Sequence, residues 1–408
     1  MGQTIARARV GTGQTAFTIL GAISVCHLLN DTMQTLLPAL YPLFRSGLGL
    51  SFVQLGVLTL AFQATGSLLQ PFIGRFTDRR PQPYSLPVGM AFTMAGILIL
   101  AAVNSYALLL LGAALIGIGS SIFHPESSRL ARIASGGRFG LAQSVFQVGG
   151  NLGQSLAPLV VAFFILPRGR GSLAWVAFLA LLGIVLLSTL GRWYQMSGQA
   201  RPRGVGGLHL ESPLPMPIVR RALAVLIALV FSKFFYLASI TNFYIFYLME
   251  HFRLTTASAQ VCLFAFLASV AAGTLVGGPL GDRIGRKYVI WGSILGVLPF
   301  TLLLPYVGLG ATIVLSIVIG LVLSSAFSSI VVYGTELMPG RIGAISGLFF
   351  GLAFGIAGLG AAVLGAIADW TSIEFVYRLC AFLPAIGLLA VLLPDVGREG
   401  RALRTARA

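Results

Sequence analysis

The chain has 408 residues, of which 57% are hydrophobic and only 9% are charged, and its mean hydropathy is +0.92. Soluble domains carry about 25% charged residues, so this composition excludes a water-soluble globular protein and predicts a membrane protein. The net charge of +16 could indicate nucleic-acid binding, but the placement of the basic residues, described below, excludes that partner.

Long apolar runs divide the sequence. A helix needs about 20 residues to cross a hydrocarbon layer of about 30 Å, and twelve runs come close to or exceed that length. We therefore predict an all-α membrane protein with twelve transmembrane helices. The runs lie near 16–43, 52–74, 86–103, 106–131, 140–166, 173–194, 220–249, 257–280, 288–306, 309–333, 342–368 and 372–393.

Basic residues are distributed unevenly between the loops. If the N-terminus is cytoplasmic, most of the 27 Lys and Arg residues fall in the inner segments and few in the outer loops. This asymmetry predicts a multi-pass protein of the bacterial inner membrane with both termini in the cytoplasm. The first run is too long and too polar for a removable signal peptide. The three cysteines lie within apolar runs without paired spacing, so no disulfide framework is predicted.

A short loop pattern occurs twice. The stretch GRFTDRRP at 74–81 and the stretch GPLGDRIGRK at 278–287 lie half a chain length apart, each after the second helix of a six-helix set. The repeat predicts two six-helix halves with a substrate site between them at mid-membrane. The predicted units are an N-terminal half at 1–194, a cytoplasmic linker at 195–218, a C-terminal half at 219–394 and a basic cytoplasmic tail at 395–408.

Polar residues form stripes on four predicted helices. An ionisable residue inside a membrane helix costs about 2.5–3.5 kcal/mol on insertion scales and usually faces the bundle interior. The four stripes therefore predict a water-filled substrate pathway; the alternative is a set of interhelical hydrogen bonds that only stabilise the bundle. The stripes are His27, Asn30, Asp31 and Gln34; Thr59, Gln63, Ser67 and Gln70; Gln143, Gln147, Asn151 and Gln154; and Lys233, Tyr236, Tyr244 and Tyr247.

The repeated loops resemble the signature of the major facilitator superfamily. Further segments resemble the fosmidomycin resistance protein family; they are HLLND at 27–31, SSIFHPESSR at 120–129, GLAQSVFQVGGN at 140–151, FSKFFYLASI at 231–240, GRKYVIWGSILGV at 285–297 and PGRIGAISGLFFG at 339–351. The resemblance implies the major facilitator fold and a proton-driven exporter of a phosphonate antibiotic. One departure is that Gly112 and Ala113, rather than an Arg, precede the glycines of helix four.

Candidate site residues follow from the stripes, the loops and the resemblance. Those predicted to bind substrate are His27, Asn30, Gln63, His124, Gln147, Lys233 and Tyr236. Those predicted to couple protons are Asp31, Glu126 and His124. Those predicted to form a cytoplasmic gate are Gly74, Asp78, Arg79, Arg129, Gly278, Asp282 and Arg283.

Asp31 and Lys233 occupy similar depths in opposite halves, so we expect them to form an ion pair when the cavity is empty. An anionic substrate would then replace Asp31 as the partner of Lys233 and free Asp31 to take a proton; the alternative is a permanent structural pair. Glu126 stands three residues before Arg129, which favours a gate pair over direct proton carriage. Gly343, Gly347, Gly351 and Gly355 are expected to let a neighbouring helix approach closely.

Other classes of function are less consistent with the residues. His209 and His251 lie outside the stripes and no second His stands four residues from His124, so neither an enzyme nor a metal site is predicted, and no cofactor is expected. A channel would not require duplicated gating loops. The predicted partners are a small anionic drug, protons and membrane lipid, and the chain is expected to be a monomer. Within transporters the alternative is a proton-coupled symporter of a small organic anion.

Overall fold

The computed structural model describes residues 15–80, 82–136, 139–196, 214–338 and 342–395, and within these ranges every regular element is helical. Twelve principal helices follow one another along the chain. They are α1 Phe17–Ala39, α2 Phe52–Leu68, α3 Ser85–Ala102, α4 Tyr106–Ala134, α5 Phe139–Val160, α6 Ala177–Met196, α7 Met216–Phe252, α8 Thr256–Ile284, α9 Arg286–Leu295, α10 Leu309–Ser324, α11 Ile342–Trp370 and α12 Ile373–Cys380.

Within the described residues, eleven helical segments are long and apolar enough to cross a membrane. The first helix, α1, is 23 residues long but less apolar, because His27, Asn30, Asp31 and Gln34 interrupt its hydrophobic sequence. Large apolar side chains such as Phe163 and Val185 remain exposed on the outside of the bundle, as expected where lipid is the solvent. The prediction of an all-α multi-pass membrane protein is confirmed.

Prolines divide several of the predicted spans. Four segments that continue a principal helix, or follow it closely, begin with Pro at their first or second position: Tyr41–Leu48, Gln70–Arg79, Leu298–Leu303 and the 3-10 segment Leu383–Leu392. Proline has no backbone N–H to donate and is favoured where a helix begins. The break at Ser325, after which helix resumes at Ala326–Leu337, has no proline. Short π and 3-10 segments, Val161–Ile165 and Arg170–Val176, lie between α5 and α6.

Glycines bring α1 and α5 into direct backbone contact. A Cβ atom added to Gly149 would lie 2.0 Å from the carbonyl oxygen of Ser24, and one added to Gly153 would lie 2.3 Å from that of Leu28. Any larger side chain would force the helices apart. The two halves of the bundle meet where α2 packs against α11 and where α5 packs against α8.

The contact between α2 and α11 is also built on glycine. A Cβ on Gly56 would lie 2.3 Å from the carbonyl oxygen of Ala361, and one on Gly365 would lie 2.4 Å from that of Phe52. The prediction for Gly351 and Gly355 is wrong, because no atom of the described residues lies within 4 Å of a Cβ placed on either glycine. The surroundings of Gly343 and Gly347 are not among those that the structure describes.

Polar contacts also join the halves toward the end of the bundle where α2 begins and α11 ends. Both carboxylate oxygens of Asp369 on α11 accept hydrogen bonds from the first backbone N–H groups of α2. The Thr59 hydroxyl donates to Asn242 Oδ1 at 2.6 Å, and Arg45 Nη1 lies 3.6 Å from Glu250 Oε1. We call this part of the bundle, where Phe52, Glu250 and Asp369 lie, the closed end.

Candidate functional site

Asp31 lies between two histidines near the middle of the N-terminal half. His27 Nε2 lies 3.4 Å from Asp31 Oδ2, and His124 Nε2 lies 3.5 Å from Asp31 Oδ1. His27 and Asp31 are one turn apart on α1, whereas His124 comes from α4. The His27 and Asp31 side chains are only 3% and 4% exposed, so the site is shielded from solvent on the α1 side.

Backbone carbonyls fix the orientation of both imidazole rings. His27 Nδ1 lies 2.8 Å from the carbonyl oxygen of Phe146, and His124 Nδ1 lies 3.0 Å from that of Ser120. A carbonyl oxygen can only accept, so each Nδ1 carries the hydrogen and donates it. Each Nε2 therefore faces the Asp31 carboxylate either as a lone pair or as a second N–H. Attraction among these three groups requires at least one added proton or another cation between them.

Glycine and an aromatic ring on α5 determine where the His27 ring lies. The ring stacks on Phe146 with centroids 4.0 Å apart and an interplanar angle of 16°. A Cβ on Gly150 would lie 2.4 Å from His27 Cε1 and 2.5 Å from Nε2. Gly150 thus leaves the space that the imidazole occupies, and the close packing of α1 on α5 is part of the site.

Amide groups complete the surroundings of the carboxylate. Gln154 Nε2 on α5 donates to Asp31 Oδ2 at 2.9 Å, and Asn30 Nδ2 donates to Asp31 Oδ1 at 3.1 Å. Ser120 Oγ donates to Gln34 Oε1 at 3.3 Å. Gln154 belongs to the predicted α5 stripe but was not among the candidate site residues; its spacing on that stripe was the available signal.

His124 connects this cluster to the space between the halves. Its side chain is 18% exposed, several times more than that of His27 or Asp31. Its ring centroid lies 6.1 Å from that of Phe354, which belongs to α11 of the C-terminal half. His124 is therefore the member of the cluster that a molecule between the halves could contact first.

Lys233 lies buried on α7 in the C-terminal half. Its Nζ donates to the carbonyl oxygen of Ser324 at 3.3 Å and lies 5.4 Å and 5.5 Å from the ring centroids of Phe234 and Phe327. Within the described part of the chain no carboxylate pairs with it. The predicted ion pair between Lys233 and Asp31 is thus absent here, because the Lys233 ammonium contacts residues of its own half, whereas Asp31 lies beside His27 and His124.

The remaining predicted substrate residues are dispersed over three helices. Tyr236 is buried on α7 one turn from Lys233. Gln63 on α2 and Gln147 on α5 are partly buried. The Gln63 side chain packs against α11, since its Cβ lies 2.8 Å from where a Cβ on Gly358 would be. The structure brings together His27, Asn30, Asp31 and His124, and it leaves Lys233 and Tyr236 in the other half.

Glu126 and Arg129 form the ion pair that their spacing indicated. Arg129 Nη2 donates to Glu126 Oε2 at 2.8 Å, and Arg129 Nη1 donates to the carbonyl oxygen of Thr77 at 2.7 Å. Gly74 lies beside Pro125 of α4. A related pair that the sequence did not indicate joins Arg286 Nε and Glu336 Oε1 at 2.8 Å in the C-terminal half.

The other gate residues are less informative. Arg283 is exposed near the end of α8. The structure describes the backbone but not the side-chain surroundings of the other four gate residues, Asp78, Arg79, Gly278 and Asp282. Their gate role stays a prediction.

A bundle of membrane-spanning helices in two halves, with ionisable side chains buried in each half, is the architecture of a membrane transporter. A model of the Major Facilitator Superfamily matches residues 23–255 and 225–408, and the chain belongs to that superfamily. Among solved structures, the nucleoside transporter NupG in a mutant form matches with a TM-score of 0.71 at 16% identity, covering 92% of this chain and 97% of that one. A bacterial homolog of the human lysosomal transporter Spinster, inward-facing and occupied, matches with a TM-score of 0.69 at 14% identity, covering 96% and 97%. These likenesses concern the fold.

Sequence relatives lie much closer. The chain is 57% identical over 395 residues to the fosmidomycin resistance protein of Escherichia coli strain K12, which covers 96% of this chain and 97% of that protein. It is 42% identical over 385 residues to the uncharacterized MFS-type transporter YfnC of Bacillus subtilis strain 168, covering 94% of each. The resemblance found in the sequence segments is thereby confirmed over nearly the whole chain.

Proposed function

We propose that the chain exports fosmidomycin, or a similar small phosphonate anion, across the bacterial inner membrane in exchange for protons. The observation that carries the proposal is the Asp31 carboxylate buried between His27 and His124, with His124 reaching toward the other half. This cluster can hold a proton and lies where a substrate between the halves would meet it. The extensive identity to the fosmidomycin resistance protein supports the substrate and the direction of transport.

Cationic groups on both sides of the interface suit an anionic substrate. Lys233 is buried with only a carbonyl oxygen and aromatic faces as described contacts, so a phosphonate would supply the negative partner that it lacks. His124 would contact the same anion from the opposite half. A phosphonate at this position competes with the Asp31 carboxylate for His124. We infer that this competition links substrate binding to the protonation of the cluster.

The membrane orientation follows from the basic residues. With positively charged loops inside, the closed end faces outward, and Glu126 with Arg129 lies toward the cytoplasm, where we propose that the pair belongs to the gate. We propose that the monomer has the predicted halves, 1–194 and 219–394, with the linker and the tail both cytoplasmic. Alternating access would then require the closed end to separate once per cycle.

One feature of the same site favours symport as a second candidate. A protonated His124 is a ligand for an anion, and a carrier that uses it so would move proton and anion in the same direction. Inside-out vesicles separate the two functions. With an acidic interior, exchange predicts accumulation of fosmidomycin that collapses when the pH gradient is dissipated. Absence of that accumulation, together with proton-driven uptake of an organic anion in right-side-out vesicles, would establish the symporter instead.

A further inference from the structure

We propose that His27, Asp31 and His124 form a binding site for a divalent transition-metal cation, with Zn²⁺ as the expected occupant. The three side chains offer two imidazole nitrogens and one carboxylate oxygen, and these donor atoms lie within 4.8 Å of one another. Imidazole and carboxylate ligands of this kind are typical of zinc sites that keep a fourth position open.

The separations of the donor atoms match metal coordination. A tetrahedral zinc ion with bonds of about 2.0–2.1 Å holds its ligand atoms about 3.3–3.4 Å apart. The two separations from Asp31 to the histidines are 3.4 Å and 3.5 Å. Each contact thus has the length of one edge of the tetrahedron, but His27 faces Oδ2 and His124 faces Oδ1. A rotation of the carboxylate together with the partly exposed His124 ring would bring one oxygen and both imidazole nitrogens around a single ion.

The hydrogen bonds around the cluster have the arrangement that supports metal ligands. A metal-binding imidazole usually donates its other N–H to a carbonyl or carboxylate, and His27 and His124 both do so, to Phe146 and Ser120. The Asp31 carboxylate is held by Gln154 and Asn30. His27 Nε2 is buried and has no hydrogen-bond partner, although it points at the carboxylate. A cation between His27, Asp31 and His124 would be bound by both Nε2 atoms and by the carboxylate.

Access to the site is from the space between the halves, through His124. The open fourth position would face that space and take a water molecule or an oxygen of an anionic substrate. The site extends the proposed function without depending on it, because metal binding requires only the geometry of the cluster. Occupancy by Zn²⁺ would displace the cluster's proton and so block proton-coupled transport.

Metal binding to the purified, tag-free protein in detergent tests the proposal. Isothermal titration with Zn²⁺, checked by elemental analysis after dialysis, should show one ion per chain. His27→Asn and His124→Gln should each weaken binding more than about 100-fold, since loss of a supporting partner alone costs about 10–100-fold. His251→Asn is the matched control, because His251 pairs with Glu374 far from the cluster and should leave the affinity unchanged.

A spectroscopic measurement covers the case in which a variant does not fold. Co²⁺ bound to the unaltered chain should give the intense visible absorption of a four-coordinate site, and Zn²⁺ should abolish it. The metal site would be overturned by a weak six-coordinate spectrum or by the absence of bound metal. It would also be overturned if folded His27→Asn and His124→Gln bound Zn²⁺ as tightly as the unaltered chain. None of these results depends on fosmidomycin or on a pH gradient, so they leave the exporter proposal to its own test.

Discussion

Asp369 offers a direct test of how the closed end is held. Its Oδ1 accepts from Phe52 N at 2.9 Å and its Oδ2 from Val53 N at 2.7 Å, so one carboxylate satisfies two donors at the start of α2. Ser51 satisfies the N–H of Gln54 on the same turn. Asp369→Asn keeps the shape but leaves one acceptor, and its amide NH₂ faces a backbone donor. It also removes negative charge from a helix N-terminus.

The expected magnitude follows from these contacts. A hydrogen bond to a charged group contributes about 1.5–3 kcal/mol to stability. Because Asp369 is exposed to solvent, we expect its contribution to be about 1 kcal/mol. Separation of the halves at the closed end breaks the contact, so the substitution destabilises only the closed arrangement. A change of about 1 kcal/mol raises the ratio of open to closed molecules about fivefold.

Spin labels can measure that ratio. Ser46→Cys and Gly310→Cys place labels on exposed positions of opposite halves at this end, and the native cysteines are buried. Double electron–electron resonance should show a longer-distance population that grows with Asp369→Asn. The control is Glu374→Gln, which removes a carboxylate at the same end whose partners lie in its own half. Equal distance distributions for the two variants would refute the assigned role of Asp369.

Three further substitutions test the interior. Gly150→Ala should displace the His27 ring, destabilise the protein by about 1–3 kcal/mol through overpacking and reduce proton-coupled transport. Gly21→Ala, in the same helix pair but with nothing within 4 Å, should lower neither stability nor transport in melting and vesicle assays. Lys233→Met keeps an apolar stem and removes the charge, so equilibrium binding of fosmidomycin should weaken more than about tenfold; unchanged affinity would exclude Lys233 from the anion site. Glu126→Gln should alter the spin-label populations and preserve coupling, while loss of coupling would make Glu126 a proton carrier.

Periodicity on α1 predicted which residues would form the polar interior. His27, Asn30, Asp31 and Gln34 are all buried, but so are Leu29, Thr32 and Met33 between them, so burial alone does not distinguish one face of α1. A stripe of polar residues on one helix, however, does not identify the residues of other helices that contact it. His124 has no second histidine near it in sequence, so the contact of α4 with α1 that places it beside Asp31 could not be read from local spacing.

Other features depended on packing between distant segments. Asp369 carries no sequence pattern that links it to Phe52, because capping a helix from another half leaves no local signal. The value of Gly150 likewise appears only when the His27 ring is seen against it. The sequence predicted similar depths for Lys233 and Asp31, but depth alone does not determine which basic side chain lies beside the carboxylate.

The central claim is that the Asp31 cluster couples proton movement to substrate movement. Its most direct test compares the unaltered chain with Asp31→Asn in proteoliposomes, measuring both accumulation of fosmidomycin driven by a pH gradient and its exchange without one. We predict that Asp31→Asn abolishes the gradient-driven accumulation and retains the exchange. Undiminished gradient-driven accumulation by Asp31→Asn would contradict the account.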